Sequence, residues 1–388
     1  MMGTVKQTRG WVGSLLVTAV LALSACGAGD ASTGTDTLGA NSTAEDSTNS
    51  VVAGDTNTRG LGNKTPTPST TATTTTTIAP TLTTTTTTIA PTPTPTPTTG
   101  RGFLDAGPWT SFYGTASQVD LTKMAATFRI MDIDADPDMG NFTATQIKQL
   151  QSSGKNKVLS YLNLGSCENF RGYWSNVPAG FLSCSANQAA QLGAYSGYSN
   201  EVWMNVGNPD YQHLVLDYIV PRLVAQGVDG FYFDNMEIVE HGTNTSNGPC
   251  DAQCSQGGLD LIAKLRDKYP NMLFVLQNAT GNTTRLGKAT GASGTVAFTS
   301  LLDGIAHEEV YKPVYDSGVE SELVNWSGMN LMPGGRKFWI ATLDYVSSCT
   351  NTTAAQSAFQ ASRVRGFSPS VSDSSAGQQT VCYWPATF

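Results

Sequence analysis

The chain has 388 residues, 39% of them hydrophobic and only 13% charged, and its formal net charge is −8. That length accommodates one large domain or two of ordinary size. The acidic balance argues against a nucleic-acid partner, which would demand clustered Lys and Arg. A long Thr- and Pro-rich stretch dilutes every average, so the chain must be divided before it is read.

Near the N-terminus, Lys6 and Arg9 precede an apolar run, Trp11 to Leu23, that is too short for a permanent membrane span. The run ends in Leu23-Ser24-Ala25-Cys26, followed by Gly27. This resembles a bacterial lipobox, in which small residues precede a cysteine that is diacylated and becomes the new N-terminus. On that reading residues 1–25 are a lipoprotein signal peptide, and Cys26 anchors the chain on the outer side of the cell membrane. The alternative is an ordinary cleaved signal with a chance cysteine, which releases the chain.

Residues 26–103 show no period of 2 or 3.6. Asp, Ser, Asn and Gly give way to Thr runs with two copies of Ile-Ala-Pro-Thr, then to a Thr-Pro alternation from Pro91 to Pro97. Such a composition buries no core and predicts a disordered, extended spacer. Beyond Cys26 there remain Cys167, Cys184, Cys250, Cys254, Cys349 and Cys382, an even set that reads as disulfides in an exported chain. Sequence order suggests 167–184, 250–254 and 349–382, one of about fifteen pairings. Half of a zinc site at Cys250 and Cys254 is the poorer reading, given export and no second Cys pair. Neither a metal nor a cofactor is expected.

From residue 104 to 388, strand-like runs recur: Trp109–Tyr113, Ala126–Asp134, Lys157–Leu164, Val228–Asp234, Met272–Asn278, Gly304–Val310, Lys337–Tyr345 and Val364–Val371. Most are apolar at nearly every position, as parallel strands buried on both faces are. Helical segments alternate with them. Thr145–Ser153 ends before Gly154, and Asn208-Pro209 caps a helix that Pro221 should kink. Leu261, Leu265 and Tyr269 recur every four residues. The pattern predicts an α/β fold, a single (β/α)8 TIM barrel over 104–388. An open doubly wound sheet is the runner-up, though no G-x-G-x-x-G follows the first strand.

In such a barrel the working groups lie at the C-terminal strand ends. Acidic residues collect there: Asp132 and Asp134, Asp234, Glu308 and Glu309, and Asp344. Like charges brought together raise one another's pKa, a cost that persists where it serves something. Two carboxyl groups facing each other across a cleft are the machinery of glycoside hydrolysis. Trp109, Tyr113, Tyr161, Tyr173, Trp174, Trp203, Trp326, Tyr345 and Trp384 lie near the same ends, where they would suit sugar binding or fill the core.

Lys157–Trp174 reads KVLSYLNLGSCENFRGYW and Val228–Met236 reads VDGFYFDNM. Together they resemble glycoside hydrolase family 114, the endo-α-1,4-polygalactosaminidases. The family pattern is a strand ending in Tyr-Leu-Ser-Val-Gly-Glu-x-Glu, then Tyr-Arg and Tyr-Trp, and later Gly-Phe-Asp-Gly with an Asp at the strand end. Tyr161, Gly165, Glu168, Arg171, Tyr173, Trp174, Asp229, Gly230 and Asp234 match; Ser166 stands where the first Glu of the pattern falls. The resemblance implies hydrolysis of α-1,4-linked galactosamine in a galactosaminogalactan-type exopolysaccharide. Its catalytic pair carries over to Asp234, as nucleophile or charge stabiliser, and Glu308, as general acid/base. Alternation agrees: Gly230, Tyr232 and Asp234 share one strand face, and Gly304, Ala306 and Glu308 another, with Glu309 held in reserve against a one-residue slip. Asp132, Asp134, Tyr161, Glu168, Arg171, Glu309 and Asp344 are expected around the substrate, with Arg171 equally readable as a structural partner of Glu168.

Metal or nucleophile chemistry has little support, since only His213, His241 and His307 occur and neither H-E-x-x-H nor G-x-S-x-G is present. His213 is expected to be packed or solvated, and His307 to fill the outer layer. A monomer is expected. The competing readings are a surface barrel that binds aminosugar polymer without cleaving it, and a hydrolase of another glycan.

Overall fold

The structure, a computed structural model, describes residues 101–103, 107–329, 338–374 and 377–388. The expected signal peptide, Cys26 and most of the Thr/Pro spacer lie outside the described residues.

Along the chain, β1 (Trp109–Phe112) leads through α1 (Leu121–Thr127) to β2 (Ile130–Ile133), and α2 (Ala144–Gln151) leads on to β3 (Lys157–Asn163). The helices begin where the sequence supplies caps. The Asp120 carboxylate accepts from the N–H groups of Thr122 and Lys123, and Thr143 pairs with Gln146 in a reciprocal capping box. The strand expected from Ala126 starts only at Ile130, because the helix capped by Asp120 claims residues 126 and 127. After β3 the chain makes an excursion, an antiparallel sheet of β4 (Ser166–Glu168), β5 (Gln191–Ala194) and β6 (Glu201–Met204), with β6 in the middle. The Cys167–Cys184 disulfide ties β4 to the loop beyond it.

The return to the barrel is helical: α3 (Pro209–Leu214), capped by Asn208, then a wide π-turn at Val215–Ile219, then α4 (Val220–Ala225). The kink expected at Pro221 takes the form of that widened turn, since proline has no N–H to continue the regular ladder. Then come β7 (Gly230–Asp234), α5 (Ala252–Lys268), β8 (Leu273–Gln277), α6 (Asn282–Leu286) and a hairpin of β9 (Lys288–Gly291) and β10 (Gly294–Ala297). The last elements are β11 (Gly304–Glu308), α7 (Ser317–Ser327), β12 (Trp339–Val346), α8 (Thr352–Val364) and β13 (Ser368–Asp373).

Eight strands form one parallel sheet in the order β1-β2-β3-β7-β8-β11-β12-β13. Trp109 Nε1 on β1 donates to the Ser368 carbonyl on β13 at 2.8 Å, bringing the first strand back to the last. The architecture is the expected (β/α)8 barrel. Alternation divides the side chains between two cores. Trp109, Ile130, Leu159, Tyr232, Val275, Ala306, Trp339 and Leu343 pack inside the cylinder, where the rings of Trp109 and Trp339 meet edge-on at 5.1 Å. Phe112, Met131, Val158, Phe231, Phe233, Phe274 and Ile305 face the helices instead.

Two carboxylates pin strands at their N-terminal ends. Asp229 accepts from the Val158 N–H at 2.9 Å, from Lys157 Nζ at 3.0 Å and from Gln151 Nε2 at 2.9 Å. Asp303 accepts from the Phe274 N–H and from Arg266, each at 2.8 Å. The cysteines pair in sequence order: 167 with 184, 250 with 254, and 349 with 382.

Candidate active site

The C-terminal strand ends surround a cavity of about 550 Å³, and Asp234 and Glu308 both line it. Each is the last residue of its strand, and each falls on the inward face. Two backbone features hold the ends of β3 and β7 together. The N–H groups of Leu164 and Gly165 donate to the Asp234 carbonyl, at 3.0 and 3.4 Å. At Gly165 a Cβ would stand 1.7 Å from the Asn235 carbonyl oxygen, so only glycine lets the two segments pass. A second cavity of similar volume, beside Trp109, Phe359 and Trp384, is lined by no carboxylate.

Glu308 is held by three donors. Asn278 Nδ2 reaches Oε2 at 3.1 Å, Gln378 Nε2 reaches Oε1 at 3.0 Å, and the Tyr345 hydroxyl also donates to Oε1. Asp234 has different surroundings. Burial pushes its carboxyl well above the usual range, and the negative charges of Glu237, Glu308 and Glu201 push the same way. A raised carboxyl of this kind keeps its proton to higher pH than an ordinary aspartate does.

A second group of carboxylates gathers around Arg171. Its Nε donates to Glu168 Oε2 at 2.6 Å, and its Nη1 donates to both oxygens of Asp134, at 3.0 and 2.9 Å. Burial still pushes Glu168 up to about 7, against the pull of the guanidinium. The rings of Tyr113 and Tyr161 lie 4.7 Å apart on the same wall. Opposite, the turn between β5 and β6 contributes Tyr195 and Tyr198, with Tyr195 stacked on buried Trp203 at 4.0 Å.

Of the residues expected around the substrate, Asp134, Tyr161, Glu168 and Arg171 line the cavity with the central pair. Three do not. Asp132 points inward but one layer lower, fully buried under the hydroxyls of Tyr113 and Ser111, which donate to its Oδ2 at 2.7 and 2.8 Å. Glu309 falls just past the strand end with a φ of 56°, exposed and off the cavity wall. Asp344 lies on the face of β12 that turns away from the barrel interior, where Leu343 and Tyr345 point in. Its Oδ1 instead holds the N–H groups of Tyr311 and Lys312, at 2.6 and 2.8 Å.

The aromatic expectation is also narrowed: Trp109, Tyr173, Trp203 and Trp326 are buried in the cores, and of the nine only Tyr113 and Tyr161 line the cavity. His213 is exposed and hydrogen-bonded to Asp217 at 2.8 Å. His307 sits half-buried on the outward face of β11.

The sequence reading missed several cavity residues. Glu201 escaped because it lies on the inserted sheet rather than at a barrel strand end. Gln378 lies beyond the last strand, and Asn278 follows β8 with no motif to mark it. A search for polar residues at the ends of the expected strands would have found Asn278, but neither Glu201 nor Gln378.

Residues 86–294, more than half of the chain, match glycoside-hydrolase family GH114. The chain belongs to that family. It is a glycoside hydrolase. The span matched to GH114 holds Asp134, Glu168, Arg171, Glu201 and Asp234, while Glu308 and Gln378 lie beyond it. Among solved structures, the glycoside hydrolase domain of PelA from Pseudomonas aeruginosa superposes with a TM-score of 0.51 at 13% identity, over 71% of this chain and 96% of that one. Ega3 of Aspergillus fumigatus, solved in complex with galactosamine, gives a TM-score of 0.49 at 16% identity, over 70% and 93%. At its low identity the PelA likeness speaks for the fold of this GH114 chain. No curated protein matches the chain.

Proposed function

We propose that the protein cleaves α-1,4-linked galactosamine within an exopolysaccharide, with Asp234 and Glu308 as the reacting carboxyls. The observation that carries this is their meeting in one acidic cavity at the C-terminal end of the barrel, lined by five carboxyl groups and a single guanidinium. A partly deacetylated galactosamine chain is cationic, so that wall of charge attracts it. Tyr113, Tyr161, Tyr195 and Tyr198 offer ring faces to the sugars.

Hydrolysis then needs one carboxyl to protonate the leaving oxygen and another to attack the anomeric carbon or activate water. Glu308 takes the first role and Asp234 the second. Without substrate, the charges around Asp234 favour a proton on it. A cationic sugar seated beside it offsets those charges, which favours ionised Asp234.

The chain is read as exported and anchored through Cys26, acting as a monomer on the outer side of the membrane. Three disulfides support an oxidising compartment.

Reducing-end release from deacetylated and acetylated α-1,4-polygalactosamine by the purified full chain tests the proposal. Product is expected from the wild type, with a loss of about 100- to 10,000-fold in Asp234→Asn and in Glu308→Gln. Binding of polymer without product, or unchanged rates in both variants, would overturn it.

A further inference from the structure

Glu201 is held differently from the carboxylates around Arg171, and unlike Glu308 it takes all its donors on one oxygen. It stands on β6, opposite Glu168 of β4 in the antiparallel register. One oxygen, Oε2, accepts from Ser166 Oγ at 2.6 Å, from Asn163 Nδ2 at 3.1 Å and from Asn235 Nδ2 at 3.1 Å. All three donors are neutral. They orient the carboxylate and leave its negative charge in place, whereas Arg171 neutralises Glu168 and Asp134 directly. The other oxygen, Oε1, accepts from none of the described residues, although the side chain is 8% exposed and lines the cavity.

The location is equally specific. Asn163 lies beside Asp234 in the strand register, and Asn235 follows it in the chain, so the donors that hold Glu201 flank the reacting carboxyl. Glu201 is also among the charges that Asp234 feels most. Ser166, the residue that departs from the family pattern by lacking a carboxylate, is the nearest of the three donors. The inserted sheet thus returns a carboxylate to the place where position 166 has none.

We propose that Glu201 is a specificity-determining residue whose free oxygen receives the ammonium group of the sugar bound beside Asp234, so that the site prefers a free amine to an N-acetyl group. Three fixed donors on Oε2 keep Oε1 aimed at one spot, which lowers the ordering cost of the contact. An acetamido group at that spot is neutral and bulkier, so it gains no ion pair and crowds the carboxylate. Protonation removes the effect. Burial raises the proton affinity of Glu201 while the three hydrogen bonds lower it, which makes the preference fade as pH falls.

The inference rests on an aminosugar substrate, and its test reads binding so that it stands apart from turnover. The full chain carrying Glu308→Gln, which stops cleavage, is titrated calorimetrically with an α-1,4-linked galactosamine trimer and with its N-acetylated counterpart. The free-amine trimer is expected to bind about 10- to 100-fold tighter, and adding Glu201→Gln should remove most of that difference. Equal affinity for both trimers before Glu201 is touched overturns the inference, and this needs no further variant to fold. So does an undiminished preference in the double variant, provided its melting temperature matches that of the parent. Absence of reducing-end release by the wild type, with the amine preference intact, would sink the hydrolytic proposal and leave the role of Glu201 standing.

Discussion

Glu237 offers a test of the electrostatics around Asp234. It sits three residues past Asp234, in the short turn Met236–Glu240. Its Oε2 is buried and has no hydrogen-bond partner among the described residues. Burial, joined by the charges of Glu308, Glu240 and Glu201, pushes the carboxyl up to about 8 from an ordinary 4.5. The folded protein therefore keeps a proton that the unfolded chain gives up once pH exceeds about 4.5. Stability from this group is complete below that point and drains away as pH climbs toward 8. A gap of about 3.5 pKa units corresponds to roughly 5 kcal/mol.

Glu237→Gln keeps the shape and cannot ionise, so its stability should be flatter with pH. The measurement is the urea unfolding free energy of both proteins at pH 5 and pH 9. The wild type is expected to lose about 4 kcal/mol more than the variant across that interval, because at pH 5 the unfolded chain has already given up most of the proton. Parallel stability profiles would refute the reasoning, because they would mean that Glu237 has no raised proton affinity to lose.

Two other substitutions probe the frame around the site. Gly165→Ala places a Cβ 1.7 Å from the Asn235 carbonyl oxygen, so the two segments must part. A loss of at least about 1–3 kcal/mol in unfolding free energy is expected, together with most of the activity; a melting temperature equal to that of the wild type would contradict it. Asp229→Asn weakens the clasp on the Val158 N–H and Lys157 far below the cavity. It should cost about 1–2 kcal/mol and leave reducing-end release per folded molecule unchanged, so a selective fall in activity would show that Asp229 does more than fasten strands.

The barrel was legible because parallel strands buried on both faces announce themselves as apolar runs, and all eight appear near their expected places. Alternation was equally informative for β7 and β11. It placed Asp234 and Glu308 on inward faces, with Phe231 and Phe233 against the helices. The same rule, left unapplied to β12, would have turned Asp344 away from the cavity, since its neighbours Leu343 and Tyr345 point inward. Asp132 shows a different limit. Its face was right but its depth was not, because depth depends on how far each strand is staggered against the next. Glu201 and Gln378 were illegible for a topological reason. One comes from a sheet inserted between barrel strands and the other from the tail after β13, so both reach the cavity by contacts with no local pattern in the sequence.

Gln378 ties together parts of the barrel that are made at very different times. Its Nε2 donates to Glu308 and to the Tyr345 hydroxyl, its side-chain oxygen lies against the Ser111 hydroxyl, and its carbonyl accepts from the Tyr113 N–H at 2.9 Å. A polypeptide leaving the ribosome N-terminus first carries Ser111 and Tyr113 long before it carries position 378. The hydrogen-bonded cradle of Glu308 is therefore unfinished until synthesis has passed the final strand, so the first and last segments of the barrel must both be in place before that carboxylate is fixed.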